Sequence, residues 1–201
     1  MFDKRSAQRD LETFRKKGPS RTTKILIAEL LNLNVQNNSL LDIGGGVGAI
    51  HHELLNCGIK QAQAVDASNA YLAASREESI SRGNTDRIKY FYGDFVDLAE
   101  TLPESDIVTL DKVICCYDNM IALVGLSAAK ARHLYGVIYP RDDWWVKALK
   151  PLLNLLPKLK QIPYRAFVHP AEEVDSLIRK QGFEVQFFRK FVFWQVVIYS
   201  K

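Results

Sequence analysis

Apolar positions fall into three successive patterns along the chain. Through residue 33 they recur at helical spacing. Residues 4–17 predict a basic amphipathic helix ended by Gly18-Pro19. Ser20 predicts the cap of a second helix to residue 33, with Ile25, Leu26, Ala28, Leu30 and Leu31 as apolar surface. From residue 40, short β-like runs alternate with helical ones. Strands are predicted over 40–43, 63–66, 88–92, 106–115 and 133–139. Helices are predicted over 47–57, 68–83, 96–102 and 120–132. The first of these puts Ile50, Leu54 and Cys57 on one face, and Gly58 closes it.

Alternating strands and helices imply a parallel sheet covered on both faces, so the fold class is α/β. Past Pro140 the pattern changes. Residues 141–169 form an insert containing Pro151, Pro157 and Pro163. Pro170-Ala171-Glu172-Glu173 opens a further helix that ends at Gln181-Gly182. Residues 184–189 and 192–199 are aromatic and β-branched, and their short separation predicts an antiparallel hairpin. The expected organisation is one domain over 1–201. It comprises a helical flank (1–39), a core (40–140), an insert or lid (141–169) and a C-terminal helix and hairpin (170–201).

The first strand of the core runs into Gly44-Gly45-Gly46-Val47-Gly48-Ala49, with Asp42 two residues before the first glycine. Glycines let a turn adopt positive φ and admit a ligand to bare backbone. The helix behind the turn presents unpaired N–H groups. Such a loop at the carboxyl end of a parallel strand holds a nucleotide-like ligand. Two ligands compete for it. The run satisfies the dinucleotide pattern G-x-G-x-x-A, which supports an NAD-binding oxidoreductase. It also satisfies acidic-x-G-x-G-x-G through Asp42, Gly44, Gly46 and Gly48, and in that form resembles motif I of the class I S-adenosylmethionine-dependent methyltransferases.

The surrounding residues favour the second ligand. Asp66 closes strand two, 20 residues after Gly46, where a carboxylate accepts from the ribose hydroxyls of either cofactor. Gly93-Asp94-Phe95 resembles the methyltransferase position where an Asp accepts from the adenine amino group and an apolar neighbour packs on the ring. A carboxylate at position 42 repels pyrophosphate but tolerates the ammonium of a methionyl group. The C-terminal hairpin is similar to that fold's antiparallel seventh strand. The resemblance implies a Rossmann-like three-layer sandwich with a seven-stranded, mostly parallel sheet and S-adenosyl-L-methionine as cofactor. It assigns Asp42, Gly44, Gly45, Gly46, Asp66, Ala67, Asp94, Phe95 and Asp111 to cofactor binding. A non-catalytic cofactor-binding module of the same fold is the remaining alternative.

Methyl transfer from a sulfonium is an in-line displacement. The protein aligns the acceptor, keeps it deprotonated and excludes water. Residues 111–119, after strand four, lack the Asn/Asp-Pro-Pro-Tyr element of enzymes that methylate nucleobase amino groups. Pro140-Arg141-Asp142-Asp143-Trp144-Trp145, Leu155-Leu156-Pro157 and Tyr164-Arg165-Ala166-Phe167-Val168-His169 resemble the insert of magnesium-protoporphyrin O-methyltransferases, which esterify a porphyrin propionate. That resemblance implies O-methylation of an acidic group on a small or amphipathic molecule. Cys116 stands where those enzymes carry His, in a pair with Tyr117. Tyr117 is the candidate acceptor-orienting residue and His169 the candidate general base. A carboxylate acceptor is already ionised and needs no base. Cys115 and Cys116 are alternative nucleophiles, and Arg21 and Lys17 alternative partners for an acidic group.

Composition narrows the partners. The 201 residues are 47% hydrophobic and 25% charged, ordinary for a soluble chain with a full core. No apolar run approaches the ~20 residues that span a bilayer, and the charged start Met1-Phe2-Asp3-Lys4-Arg5 lacks a secretory pattern. Three cysteines, two of them adjacent, argue against a disulfide framework, so a cytoplasmic location is expected. No Cys/His spacing suggests a metal. Residues 1–24 and 141–201 are each +5, whereas 25–140 are −6. Basic flanks folded over one site would attract an acidic small molecule. Scattered basic residues without a motif give no expectation of nucleic acid. Segment 144–160, with ten apolar residues and four Lys, reads as a substrate lid or a peripheral membrane contact. The oligomeric state stays open.

Overall fold

The computed structural model describes residues 3–143 and 167–201. Its strands are β1 (Ser39–Ile43), β2 (Gln61–Asp66), β3 (Ile88–Tyr92), β4 (Ser105–Asp111), β5 (Ala131–Pro140), β6 (Glu184–Lys190) and β7 (Trp194–Ser200). They form one sheet in the order β3-β2-β1-β4-β5-β7-β6. The first five are mutually parallel, and β7 is antiparallel to both β5 and β6. The helices are α1 (Lys4–Lys17), α2 (Arg21–Asn32), α3 (Ala49–Asn56), α4 (Asn69–Ser81), α5 (Phe95–Leu98), α6 (Met120–Ala129) and α7 (Ala171–Arg179).

The period-2 alternation of each strand splits the core into two faces. Leu41, Ile43, Val108, Leu110, Val137 and Val197 point to the side of α5, α6 and α7. Leu40, Ala62, Ala64, Ile107, Ile138 and Ile198 point to the side of α2 and α3. This is the α/β three-layer arrangement, with the sheet between two helical layers. Caps set the helix starts. Ser20 accepts from the Thr23 N–H, Ser68 from Tyr71, Asp94 from Val96 and Asn119 from Ala122.

Three expectations are corrected. Strand four does not reach residue 115: β4 stops at Asp111, Lys112 takes φ 62, and Ile114–Cys116 form a 3-10 turn. Ile114 and Cys115 are buried by that turn rather than by a strand, which is why an apolar run misled the pattern. Cys57 is the exposed C-cap of α3, and Leu55 supplies the buried face with Ile50 and Leu54. The fifth helix starts at Phe95 and ends at Leu98, short of 102. Within the insert, Pro151, Pro157, Pro163, segment 144–160 and Tyr164-Arg165-Ala166 lie outside the described residues. Among the described residues no helix is long and apolar enough to cross a membrane.

Candidate functional site

The strand order reverses between β1 and β4, with β2 and β3 continuing outward on one side. At such a switch point the loops after the strands diverge and leave a crevice at the carboxyl ends. The carboxyl ends of β1, β2, β3 and β4 carry the glycine loop, Asp66, Gly93-Asp94 and Asp111 respectively. The sheet thus gathers most of the assigned cofactor residues along one edge.

The loop after β1 is held from beneath. Asp42 is fully buried, with Oδ1 accepting from Thr109 Oγ (2.8 Å) and Oδ2 facing His51 Nδ1 (2.8 Å). A Cβ added to Gly45 would stand 2.4 Å from Asp42 Oδ2, so the carboxylate packs against the underside of the loop. It offers no surface to a ligand, contrary to the expectation that it faces one. Gly44 donates its N–H to the Val65 carbonyl (2.7 Å), which extends the β1–β2 ladder, and its Cα lies against Val113. Gly46 differs from these. A Cβ there would meet only the Tyr71 ring, at 3.6 Å.

Asp66 ties the loop to β2. Its Oδ2 accepts from the Gly46 N–H (3.1 Å) and its Oδ1 from the Ser68 N–H (2.8 Å). Burial raises its pKa above the usual carboxylate value, against the lowering effect of those two N–H groups. Ala67 is exposed in the turn that follows. The Gly93 N–H donates to the Asp66 carbonyl (3.2 Å), which sets the Asp94 turn beside it.

Asp94, Tyr117 and His169 form a second group. The Tyr117 hydroxyl donates to the Asp94 carboxylate, 2.8 and 2.9 Å from its two oxygens. Burial first, and that bond second, push the phenol pKa up, so Tyr117 remains protonated. His169 Nε2 lies 3.0 Å from the Tyr117 carbonyl. A carbonyl only accepts, so Nε2 carries the proton and Nδ1 is the nitrogen left to act as a base. The His169 ring stacks on Phe167, and the Phe167 N–H donates to the Cys115 carbonyl (2.7 Å). The end of the insert is thereby laid along the turn after β4. Phe95 is buried in the main core rather than standing out from it.

Asp111 and its neighbours form a separate cluster against α2. Asp111 Oδ2 accepts from Thr23 Oγ (2.5 Å), and its Oδ1 pairs with Lys112 Nζ (2.8 Å). Lys112 Nζ also reaches Ser20 Oγ (3.1 Å) and lies over the Trp194 ring. Arg21 is over Phe191, and the Lys17 carbonyl accepts from Lys24. Asp111 and Arg21 thus have side-chain partners within the fold, whereas at Lys17 it is the backbone carbonyl that is engaged. The Cys115 thiol is pushed up by its contact with Cys116, 3.7 Å away, and by burial, which leaves it a poor nucleophile. Among the described residues no group of three His, Cys, Asp or Glu could hold a metal.

The sequence did not reveal how α1 covers this edge. Ala7, Leu11 and Phe14 pack with Ala74 of α4 and against Val47 and Ala49 of the loop. Tyr71 donates to Asp10 (2.6 Å), and Arg15 pairs with Glu78 (2.7 Å) and Glu77 (2.9 Å). The i, i+4, i+7 spacing of Ala7, Leu11 and Phe14 was the available signal, but it does not name the partner helix.

A family model described as an O-methyltransferase domain matches residues 2–126. Among curated proteins none matches the chain. Solved structures share the fold. The magnesium protoporphyrin IX methyltransferase of Synechocystis, crystallised with bound S-adenosylhomocysteine, superposes with a TM-score of 0.73 at 17% identity, over 90% of this chain and 82% of that one. An O-methyltransferase family protein of Burkholderia thailandensis gives 0.76 at 16% identity, over 99% of this chain and 60% of that one. An O-methyltransferase family 2 protein of Planctomyces limnophilus, in complex with apigenin, gives 0.63 at 15% identity, over 92% and 63%.

Proposed function

Because the chain belongs to the O-methyltransferase domain family, and so is an S-adenosylmethionine-dependent methyltransferase of small molecules, we propose that its acceptor is an acidic oxygen on an amphipathic molecule. When bound, the cofactor supplies a methyl group on a sulfonium. The residues present fit it. A carboxylate has about four acceptor positions, and Asp66 uses two of them on backbone N–H groups, which leaves acceptors for ribose hydroxyls. Among the described residues Asp94 Oδ2 accepts only from Tyr117, which leaves a lone pair for an adenine amino group. The space above Gly46 admits close approach to backbone. Asp42, Gly44 and Gly45 shape the loop from below.

The single observation carrying the cofactor part of this reading is the tie between Asp66 and the Gly46 N–H at the switch point of the sheet. Asp66 also gives the pH dependence its sign. Ribose hydroxyls donate best to a carboxylate, so affinity for S-adenosylhomocysteine falls as pH drops through the Asp66 pKa. Burial has raised that pKa, so the loss begins above the range of an exposed Asp. For folding the sign is opposite. A raised native pKa favours the unliganded protein at low pH, and that contribution is lost as pH rises through it. Calorimetric titration between about pH 4 and pH 7 measures the first effect, and Asp66→Asn should remove this contribution to it.

Support for an acidic oxygen comes from the site's chemistry. Tyr117 is committed to Asp94 and stays protonated, so it does not deprotonate an acceptor. His169 Nδ1 is the imidazole nitrogen this cluster presents as a general base. A carboxylate needs no base. The similar Synechocystis protein is a magnesium protoporphyrin IX methyltransferase, and the basic flanks of this chain suit an anionic acceptor. Labelled S-adenosylmethionine offered with porphyrin and aryl carboxylic acids, and in parallel with phenols, tests this. A carboxylate acceptor yields a methyl ester that mild alkali cleaves, and His169→Ala then slows turnover by less than about tenfold. Alkali-stable ether as the sole product overturns the carboxylate assignment.

A further inference from the structure

Beneath the glycine loop lies a buried polar chain with no assigned role. Thr109 donates to Asp42, Asp42 meets His51 Nδ1 (2.8 Å), and His51 Nε2 meets Ser75 Oγ (2.9 Å). The Ser75 hydroxyl lies 3.3 Å from the Tyr90 hydroxyl. Asp42, His51, Ser75 and Thr109 are all fully buried. The Asp–His–Ser order is that of a hydrolytic triad. No substrate reaches it, because the loop backbone covers it. A Cβ at Gly45 would meet Asp42 at 2.4 Å, and one at Gly48 would meet His51 Nε2 at 2.2 Å and Ser75 Oγ at 2.7 Å.

The proton positions follow from chemistry. A carboxylate only accepts, so His51 donates from Nδ1. The neighbouring His52 points Nε2 at the Ser75 carbonyl (3.2 Å) and so donates from Nε2, and its Nδ1 has no partner among the described residues. Burial, with His51 and Arg82 nearby, lowers the His52 pKa to about 2, so it stays neutral. The adjacent imidazoles thus hold opposite donor nitrogens, each set by what it faces.

We propose that His51 is a positioning residue for the cofactor loop, a role that rests on the reading of that loop as the cofactor site. Its Nδ1–H holds the Asp42 carboxylate under Gly45, and its ring and Ser75 form the floor under Gly48. The two floor contacts flank Gly46, whose N–H is thereby aimed at Asp66. A glycine-rich loop has much conformational freedom to lose, and a rigid floor removes it before the ligand arrives. Ser75 lies one residue after Ala74, where α1 docks on α4, so the same floor also joins the loop to its cover.

The test is calorimetric binding of S-adenosylhomocysteine to wild type, His51→Leu, His51→Asn and Ser75→Ala, with thermal melts of each. Leu removes the donor at similar size and should weaken binding at least about tenfold. Asn carries an N–H near the Nδ1 position and should restore affinity to within about threefold of wild type, even where its melting temperature stays low. Ser75→Ala should cost about threefold to tenfold. A nitrogen-resolved histidine spectrum should show His51 protonated at Nδ1. Binding by the Leu and Ala variants within twofold of wild type overturns the proposal, as does equal loss in Leu and Asn. Should Leu fail to fold, Asn and Ser75→Ala decide it: both within twofold of wild type overturns it, and Asn tighter than Ala supports it. Failure of wild type to bind at all refutes the cofactor reading instead, and is distinguishable on that ground.

Discussion

Gly46→Val is expected to abolish measurable binding of S-adenosylhomocysteine while leaving a folded protein. Among Gly44, Gly45, Gly46 and Gly48, only Gly46 has room for a Cβ. Its nearest neighbour would be the Tyr71 ring at 3.6 Å, whereas the others would meet Val113, Asp42 and His51 well inside contact distance. The cost to the fold is therefore mainly backbone strain. Gly46 has φ 58, a left-handed conformation costing a β-branched residue about 1–3 kcal/mol. That is a minor part of the ~5–15 kcal/mol typical of a domain. The ligand loses far more. The valine methyls fill the space over the backbone, and any shift that relieves the strain pulls the Gly46 N–H from Asp66. A loss of at least about 3 kcal/mol is expected, more than a hundredfold in Kd. Titration calorimetry beside a thermal melt separates the two effects. Near-wild-type affinity in a folded variant would show that the ligand does not approach Gly46.

The parts of this site legible in the sequence are those whose signal is local. The Asp42-to-Gly48 run marks its own turn, and Asp66 is placed at the end of β2 by its count from Gly46. What could not be read depends on contacts between distant positions. His51 and His52 interrupt an apolar helical face, which is an anomaly, but His51 bonds at positions 42 and 75, and Asp42 in turn at 109. No spacing joins those four. Asp42 carried the right motif and the wrong address, because a motif reports residue order and not which way a carboxylate turns. Residues 112–115 failed for a different reason. Lys112 takes positive φ there and pairs with Asp111 and Ser20, so the chain leaves the sheet four residues before the apolar run ends. Burial by a turn and burial by a strand look the same in a hydropathy pattern.

Gly48→Ala should cause the largest loss of stability of any single methyl added to the loop. Gly48 has φ 85 and caps α3. Its new Cβ would stand 2.2 Å from His51 Nε2, 2.5 Å from His51 Cε1 and 2.7 Å from Ser75 Oγ. None of these can withdraw cheaply. His51 is buried and held at both ring nitrogens, so moving it breaks a bond to Asp42 or to Ser75. A buried donor or carboxylate left unpaired costs about 1–3 kcal/mol, overpacking costs about as much again, and left-handed strain adds roughly 1–2 kcal/mol. The expected total is about 3–5 kcal/mol, since relaxation that eases one contribution eases the others. For a chain of this size that corresponds to a fall in Tm on the order of 10 °C. Gly83→Ala is the control. Gly83 has φ 68, but nothing lies within 4 Å of its Cβ position, so only the strain applies and the fall should be a few degrees at most. Equal melting temperatures for the two variants would mean that the contacts under Gly48 are soft, and that the buried chain beneath the loop does not hold it.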